Sequence, residues 1–405
     1  MDFKFTDEQE AFRQEIRDFL KENLGDEWRG IDPDSYFHDE NWPHIRELTA
    51  KLVNKGWLTL AWPEEYGGQA RPHIEQMIYS EEMAYFRAPT RDASMGTDLV
   101  GPTVMIFGTE EQKAEYLPRI ADGTAVYCQG FSEPESGSDL ASLQLRAVED
   151  GDDYILNGSK IWTSGAHRAS HFYLMARTDP DAPKHRGISI FIFPMDTPGI
   201  TVRPLWTIQN DPPAPIGTTY GQRRTNETFF EDVRVPATCM LGEENQGWYV
   251  GAMGLNLDRV GASRYLISVR RDEDIINWAK DNDLGGHDVS QDPAIRDRLA
   301  ELWIEAQVCR LMTMRSMSLM ERGDTFTYEG AAEKVWAPEH GVRTTETISQ
   351  ILGPYAQLMS TSEEAIEHGL FAHNLLGSFQ SGINHGSVQV MRDQIARRGL
   401  GLPRG

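Results

Sequence analysis

Four short stretches of the 405-residue chain gather residue types that could do chemistry. Residues 130–139, GFSEPESGSD, follow Gln129 and hold Phe131, Ser132 and Ser138 in a run of small and acidic residues. Residues 161–166, IWTSGA, set the indole of Trp162 beside the hydroxyls of Thr163 and Ser164. Residues 255–259, LNLDR, carry Asn256, Asp258 and Arg259, and residues 383–387, INHGS, carry His385 and Gly386. An indole can wall a flat ring, while hydroxyls and main-chain N–H groups can meet that ring's polar edge. A carboxylate or an imidazole can take a proton if it comes within about 2.6–3.2 Å of it. Each stretch also has a plainer explanation: a Gly/Ser turn, a core tryptophan, or Asp258 paired with Arg259 or Arg264 at the surface. Only the surroundings can decide.

Those surroundings divide into three textures. Residues 6–24 read as a helix, with Thr6 and Gln9 forming a capping box and Phe12, Ile16, Phe19 and Leu20 on one face. Helical periodicity returns over residues 42–57, 74–83 and 109–120, the last opened by a second capping box at Thr109 and Gln112. Past Gly123 the segments 154–164, 171–177, 187–195 and 225–236 are short, aromatic or β-branched, and punctuated by Gly, Pro and Asp. Within them Asn157-Gly158 is the strongest hairpin signal in the chain. After Gly247 long helical runs resume at 250–279, 292–322 and 330–352, and two further helices are expected between Thr361 and Arg398. The expected organisation is a helical domain at 1–122, a β domain at 123–240 and a helical bundle at 241–405.

Bulk properties exclude several classes. One hydrophobic core stops growing near ~250–300 residues, so two or three packed units are expected. A formal charge of −23 repels phosphate backbones, which argues against a nucleic-acid partner and suits solubility. A site for an anionic cofactor must therefore be locally basic. Cys128, Cys239 and Cys309 lie far apart with no C-x-x-C pair, which suits neither a disulfide framework nor a zinc site, and no metal is expected. The first residues are charged where a signal peptide needs an apolar run, and no stretch reaches the ~18 apolar residues of a spanning helix. A cytoplasmic protein with no membrane partner is the expectation.

The stretch GFSEPESGSD resembles the first signature of the acyl-CoA dehydrogenase family, with Phe131 larger than the pattern prefers. GWLTLAWPEEYGG (56–68), FGTEEQKAEYLPRIADG (107–123), NGSKIWTSGA (157–166), FFEDVRVP (229–236), LGEENQGW (241–248) and GLGLPR (399–404) resemble further family segments, in the family's order. The resemblance implies a mainly α fold with a β insert (α+β): an N-terminal helical domain, a central β-barrel-like domain and a C-terminal four-helix bundle that builds the oligomer. It also implies FAD, an acyl-CoA thioester, loss of a proton from the α carbon and of a hydride from the β carbon, and an electron-transfer flavoprotein as acceptor. Carried over position by position, Gln129, Phe131, Ser132, Ser138, Trp162, Thr163 and Ser164 would contact the flavin. Ser138, Asn256, Arg259 and Gly386 would contact acyl-CoA.

The chain departs from the family at the base. Many members carry a glutamate in an I-Y-E-G-T segment near the C-terminus, and gapless alignment from the tail puts His385 in its place. A second location is known within a segment like L-D-L-E-R, and there stands Asp258. Asp258 is therefore the expected base. At His385 the main-chain N–H can still hold the thioester oxygen, and a histidine base is the lesser alternative. The adenine half of FAD departs as well. Asn282 replaces an arginine that reaches a neighbouring subunit's cofactor, with Arg270 or Arg271 as possible substitutes. Gln350 and Gly353 match a Q-x-x-G-G segment whose second glycine is here Pro354, which has no N–H to give. These departures resemble heterotetrameric dehydrogenases of steroid side-chain breakdown. The expected substrate is a branched, bulky or ring-bearing acyl-CoA, and the expected assembly a homotetramer or an α2β2 heterotetramer. An acyl-CoA oxidase, a related flavin monooxygenase and a non-catalytic partner subunit remain the alternatives.

Overall fold

The fold was obtained as a computed structural model, which describes residues 4–24, 42–89, 91–208, 225–257, 263–324, 327–359 and 362–403. Six helices come first: α1 (Asp7–Leu24), α2 (Trp42–Asn54), α3 (His73–Tyr85), the single turn α4 (Arg91–Ser94), α5 (Gly101–Phe107) and α6 (Glu110–Ala121). A π-helical turn, Met95–Val100, joins α4 to α5. Eight strands follow: β1 (Tyr127–Gly130), β2 (Arg146–Asp150), β3 (Asp153–Lys160), β4 (His171–Arg177), β5 (Ile188–Pro194), β6 (Ile200–Pro204), β7 (Asn226–Pro236) and β8 (Met240–Leu241). The chain then returns to helices α7 (Gly247–Leu257), α8 (Ser263–Asp281), α9 (Pro293–Glu321), α10 (Glu329–Leu352), α11 (Leu370–Ser378) and α12 (Val388–Gln394). Both capping boxes form. Thr6 and Gln9 exchange bonds of 3.0 and 3.2 Å, and Thr109 and Gln112 exchange two of 3.2 Å.

The helices and strands sort into two compact units, each discontinuous in sequence. One comprises Asp34–Ala70 and Pro89–Asp258, the other Met1–Pro33, Arg71–Ala88 and Arg259–Gly405. In the first, the strands form one sheet in the order β6-β7-β3-β2-β4-β5-β8, with β1 pairing β4 in parallel. One face packs Phe172, Phe191, Phe193, Phe230 and Val233 into a core, and a second core joins Tyr173, Ile190 and Ile192 to Val100, Val104 and Leu117. A strand such as β4, buried at all seven positions, reads as a continuous apolar run for this reason.

One expectation needs correction here. Asn157-Gly158 is not a hairpin turn. β2 and β3 are joined by the two residues Gly151-Asp152, between the paired Asp150 and Asp153, where Gly151 has φ 70°. Asn157-Gly158 instead lies inside β3 at a bulge opposite β7. Gly158 has φ 143°, and a Cβ there would sit 3.0 Å from the Leu145 Cα. The Asn157 side chain bridges the bulge, donating to Asp232 Oδ1 at 3.0 Å and accepting from the Asp232 N–H at 2.9 Å. The flexibility that suits a turn is used to bend a strand. Within the run 250–279, α7 is described to Leu257 and α8 from Ser263, and residues 258–262 lie outside the described residues.

The other unit stacks α1 and α3 on the bundle α8–α10. A buried ionic knot ties them together: Arg13 donates to Glu81 and Glu82 at 2.6 Å each, Arg310 to Glu81 at 2.9 Å, and the Tyr265 hydroxyl also to Glu81. On α9, Trp303, Ile304, Val308 and Leu311 stay exposed on one side of the helix.

Asp272 on α8 is wholly buried, and the Thr344 hydroxyl and Arg271 nearby only partly offset the loss of water around its carboxylate. Burial pushes its pKa up to about 7 from 3.8. Between these values the unfolded chain gives up a proton that the folded chain keeps, so stability falls as pH rises from about 4 to about 7 and stays low above. Asp272→Asn should therefore stabilise the protein at pH 8, by up to about 4 kcal/mol, and hardly at all at pH 4. Thermal melts of both proteins at the two pH values check this; equal shifts at both would refute it.

Candidate functional site

Within the sheet unit, the residues expected at the flavin ring arrive on two adjoining pieces of chain. β1 carries Gln129 alongside β4 and runs directly into Phe131 and Ser132. Phe131 is buried, with its ring 5.5 Å from that of Tyr173. Gln129 keeps a buried amide nitrogen, Nε2, with no partner. β3 ends at Lys160 and delivers Ile161, Trp162, Thr163 and Ser164 beside the first piece, where the Ile161 N–H donates to the Ser132 carbonyl at 3.0 Å. Trp162 has φ 62° and leaves 57% of its surface exposed. A tryptophan in the left-handed region costs about 1–2 kcal/mol, and its neighbours hold it there. The N–H and Oγ1 of Thr163 donate to the Asn226 carbonyl at 3.0 and 2.8 Å, and Ser164 Oγ lies 2.9 Å from Thr225 Oγ1.

An exposed indole, a buried amide donor without a partner and the hydroxyls of half-buried Ser132 and exposed Ser164 are what a planar ring with a polar edge requires. These residues fit an isoalloxazine.

Ser138 lies farther along the same loop, at the surface. Its neighbour Asp139 accepts from Lys184 Nζ at 2.8 Å, and that bond holds the Asp139 carboxyl below the usual range. Lys184, His185 and Arg186 form a turn between β4 and β5, fixed by Arg177, which donates to the Lys184 carbonyl at 2.7 Å and the Ala141 carbonyl at 2.6 Å. The His185 ring meets the exposed Tyr249 of α7 edge-on, 6.5 Å between centroids. Two cations, Lys184 and Arg186, flank His185 beside an exposed aromatic and make a basic spot near Ser138, with Lys184 already paired to Asp139. The sequence analysis did not single it out, although a Lys-His-Arg run in a chain of net charge −23 was a visible signal.

On the helical unit, His385 and Gly386 both take left-handed backbone, φ 52° and 90°, immediately before α12. The turn before them is fixed by the buried Lys334, which donates to the Ser381 carbonyl. Gln350 Oε1 is occupied by Arg298, at 2.6 Å. Gly353 closes α10 with φ 57° and open space around its Cα, followed by Pro354. Asn282 turns back on its own helix, donating to the Trp278 carbonyl at 2.9 Å. Arg270 is engaged internally, 3.3 Å from Asp274 and stacked 5.2 Å from the Tyr85 ring. Asp258 and Arg259 lie outside the described residues, and of Asn256 only its place in α7 is described. Among the described residues no helix is long and apolar enough to cross a membrane.

Comparison with known proteins matches the chain to three consecutive family models: acyl-CoA dehydrogenase N-terminal domain over residues 6–124, middle domain over 128–233 and C-terminal domain over 245–400. It is 34% identical to the acyl-CoA dehydrogenase FadE26 of Mycobacterium tuberculosis, over 100% of this chain and 99% of that protein. It is 31% identical to the acyl-CoA dehydrogenase IpdE1 of the same organism, over 98% of each. Among solved structures it resembles the Tcur3481-Tcur3483 steroid ACAD, with a TM-score of 0.87, 33% identity and 100% of each chain covered. It also resembles the ChsE4-ChsE5 complex from Mycobacterium tuberculosis, with a TM-score of 0.86, 32% identity and 100% of each chain covered.

Proposed function

The chain belongs to the acyl-CoA dehydrogenase family, and from that premise we propose which of its residues do the work and which acyl group they accept. It is an FAD-dependent oxidoreductase that removes two hydrogens across the α and β carbons of an acyl-CoA, giving the trans-2-enoyl-CoA. Bound FAD supplies the hydride acceptor. Trp162 walls the ring, and Gln129, Ser132 and Ser164 meet its polar edge. Asp258 takes the α proton, with main-chain N–H groups of the His385-Gly386 stretch holding the thioester oxygen as charge develops on it. The observation that carries this reading is the unpartnered Gln129 donor together with the exposed Trp162 on adjoining chain.

Support for a bulky or ring-bearing acyl group comes from the steroid ACAD resemblance and from the base shifted out of the C-terminal segment. The exposed apolar side of α9 suits a subunit interface, and the two-chain complex resembled by this protein supports a homologous partner. An electron-transfer flavoprotein is the acceptor in this reading.

The assembled protein should be yellow and should bleach under anaerobic titration with a ring-bearing acyl-CoA, faster than with butyryl-CoA. Bleaching that occurs with neither thioester, at full FAD occupancy, would overturn the assignment; rapid reoxidation by O2 would point to an oxidase.

The basic turn fits the phosphorylated nucleotide end of CoA, with Tyr249 offering an aromatic surface to the adenine. Replacing both Lys184 and Arg186 by Ala removes two exposed charge-assisted contacts. The expected result is a KM for acyl-CoA raised about 10-fold, an unchanged kcat, and a difference that shrinks above 0.5 M salt. An unchanged KM would remove the turn from the substrate site.

A further inference from the structure

We infer that Glu133 and Lys160 are a positioning pair for the flavin: a buried ionic clamp that locks the main chain of Phe131–Glu133 to that of Lys160–Trp162, so that both ring-contacting pieces are held as one surface. The inference rests on the flavin reading above and concerns two residues that reading did not use. Lys160 is the last residue of β3, and its side chain is fully buried. Its ammonium donates to Glu133 Oε1 at 2.8 Å and to the Phe131 carbonyl at 3.0 Å. Glu133 Oε1 also accepts from the Leu145 N–H at 2.8 Å, and Oε2 from the Gln144 N–H at 2.6 Å. The Glu133 main chain exchanges bonds of 2.9 and 3.0 Å with Ser136, closing the turn that follows Ser132. One carboxylate thus gathers three donors from two other parts of the chain, and one ammonium reaches the carbonyl between Phe131 and Ser132.

Stability alone does not call for such a pair. Desolvating two charges is expensive, and an apolar pair of similar volume serves a core at least as well. What charges supply is direction: the ammonium donates only to oxygens at hydrogen-bonding range, which fixes where the Phe131 carbonyl sits and hence how Ser132 is turned. Lys160 lies two residues from Trp162, whose left-handed backbone needs an anchor on each side. Thr163 on Asn226 is one anchor and Lys160 on Glu133 is the other.

The clamp has its own signature in pH. Burial lowers the Lys160 pKa to about 8, against the raising effect of Glu133 and with the lowering effect of Arg177 on β4. The ammonium form is therefore complete well below pH 8 and lost as pH rises through it.

Two experiments on the assembled protein test the inference. Glu133→Leu combined with Lys160→Met keeps the volume apolar. The expected product melts within a few degrees of wild type but binds FAD about 10-fold or more weakly, with flavin fluorescence less quenched. A folded double variant with wild-type FAD affinity and spectrum would overturn the inference. Should the variants not fold, hydrogen–deuterium exchange on the wild-type protein decides. Corrected for intrinsic rate, exchange at the Gln144 and Leu145 amides and across residues 131–136 should rise about 10-fold from pH 7 to pH 9.5, while β4 amides stay protected. No change there sinks the clamp, and it does so whether or not the protein binds FAD, which keeps this outcome apart from a failure of the flavin reading.

Discussion

Replacing Asp258 by Asn should lower turnover of the acyl-CoA by roughly 10²–10⁴-fold while the protein keeps its FAD. The amide preserves shape and hydrogen-bonding reach but cannot take a proton, so the loss belongs in kcat more than in KM. An aspartate base is one methylene shorter than the glutamate found at this place in relatives of the L-D-L-E-R type, so Asp258→Glu, which restores the reach, should keep part of the activity. A direct readout separates base from bystander. Wild-type enzyme in D2O should exchange the α hydrogen of a thioester that cannot be oxidised, and Asp258→Asn should not. His385→Ala should cost much less, because the work assigned at 385 is done by a main-chain N–H. Its φ of 52° is the feature that matters, and a histidine tolerates that conformation better than most residues. If Asp258→Asn keeps near-normal activity and His385→Ala abolishes it, the two roles are reversed.

How much of this was legible in the sequence depends on how local the deciding physics is. Capping boxes are settled within four residues, and both formed as read. β4 and β5 were legible because they are apolar on both sides, and β7 because its buried positions largely alternate with less buried ones. The ring-facing residues were legible only through resemblance, since nothing local separates Trp162 from a core tryptophan. Asn157-Gly158 misled because its turn chemistry is real but its use is set by β7, some seventy residues away along the chain. Nothing local in the sequence singled out Lys160 within the segment 154–164. It is buried because Glu133 arrives from another strand's approach, and no pattern within either segment announces that meeting. The Lys184-His185-Arg186 run carried a local signal, and its meaning depended on Asp139 and Tyr249 lying beside it.

Purified without a partner, the chain should hold FAD roughly 10- to 150-fold more weakly than in complex with a homologous subunit that supplies the missing arginine. One charge-assisted contact to a diphosphate contributes ~1.5–3 kcal/mol, and the factor follows from that. The residues proposed for the ring half are on this chain, with Thr163 and Ser164, beside Trp162, held by Asn226 and Thr225. The adenine half is different. Asn282 stands for the arginine and spends its amide on the Trp278 carbonyl; Gln350 has its oxygen on Arg298; Pro354 has no N–H to offer. Of the two arginines that could substitute, Arg270 is held by Asp274 and the Tyr85 ring, so recruiting it means breaking an ion pair first. Arg271 lies beside the buried Asp272 and has contacts of its own to give up. Arg271→Ala is the control: if copies of this chain complete one another's sites through it, that change empties a flavoprotein that was full. Flavin counted per chain, alone and after mixing with the homologous subunit, decides between the two. Occupancy that appears only with the partner supports a shared site. Full occupancy in the chain alone overturns it, and an Arg271→Ala variant that then loses its flavin would show which residue took over the work.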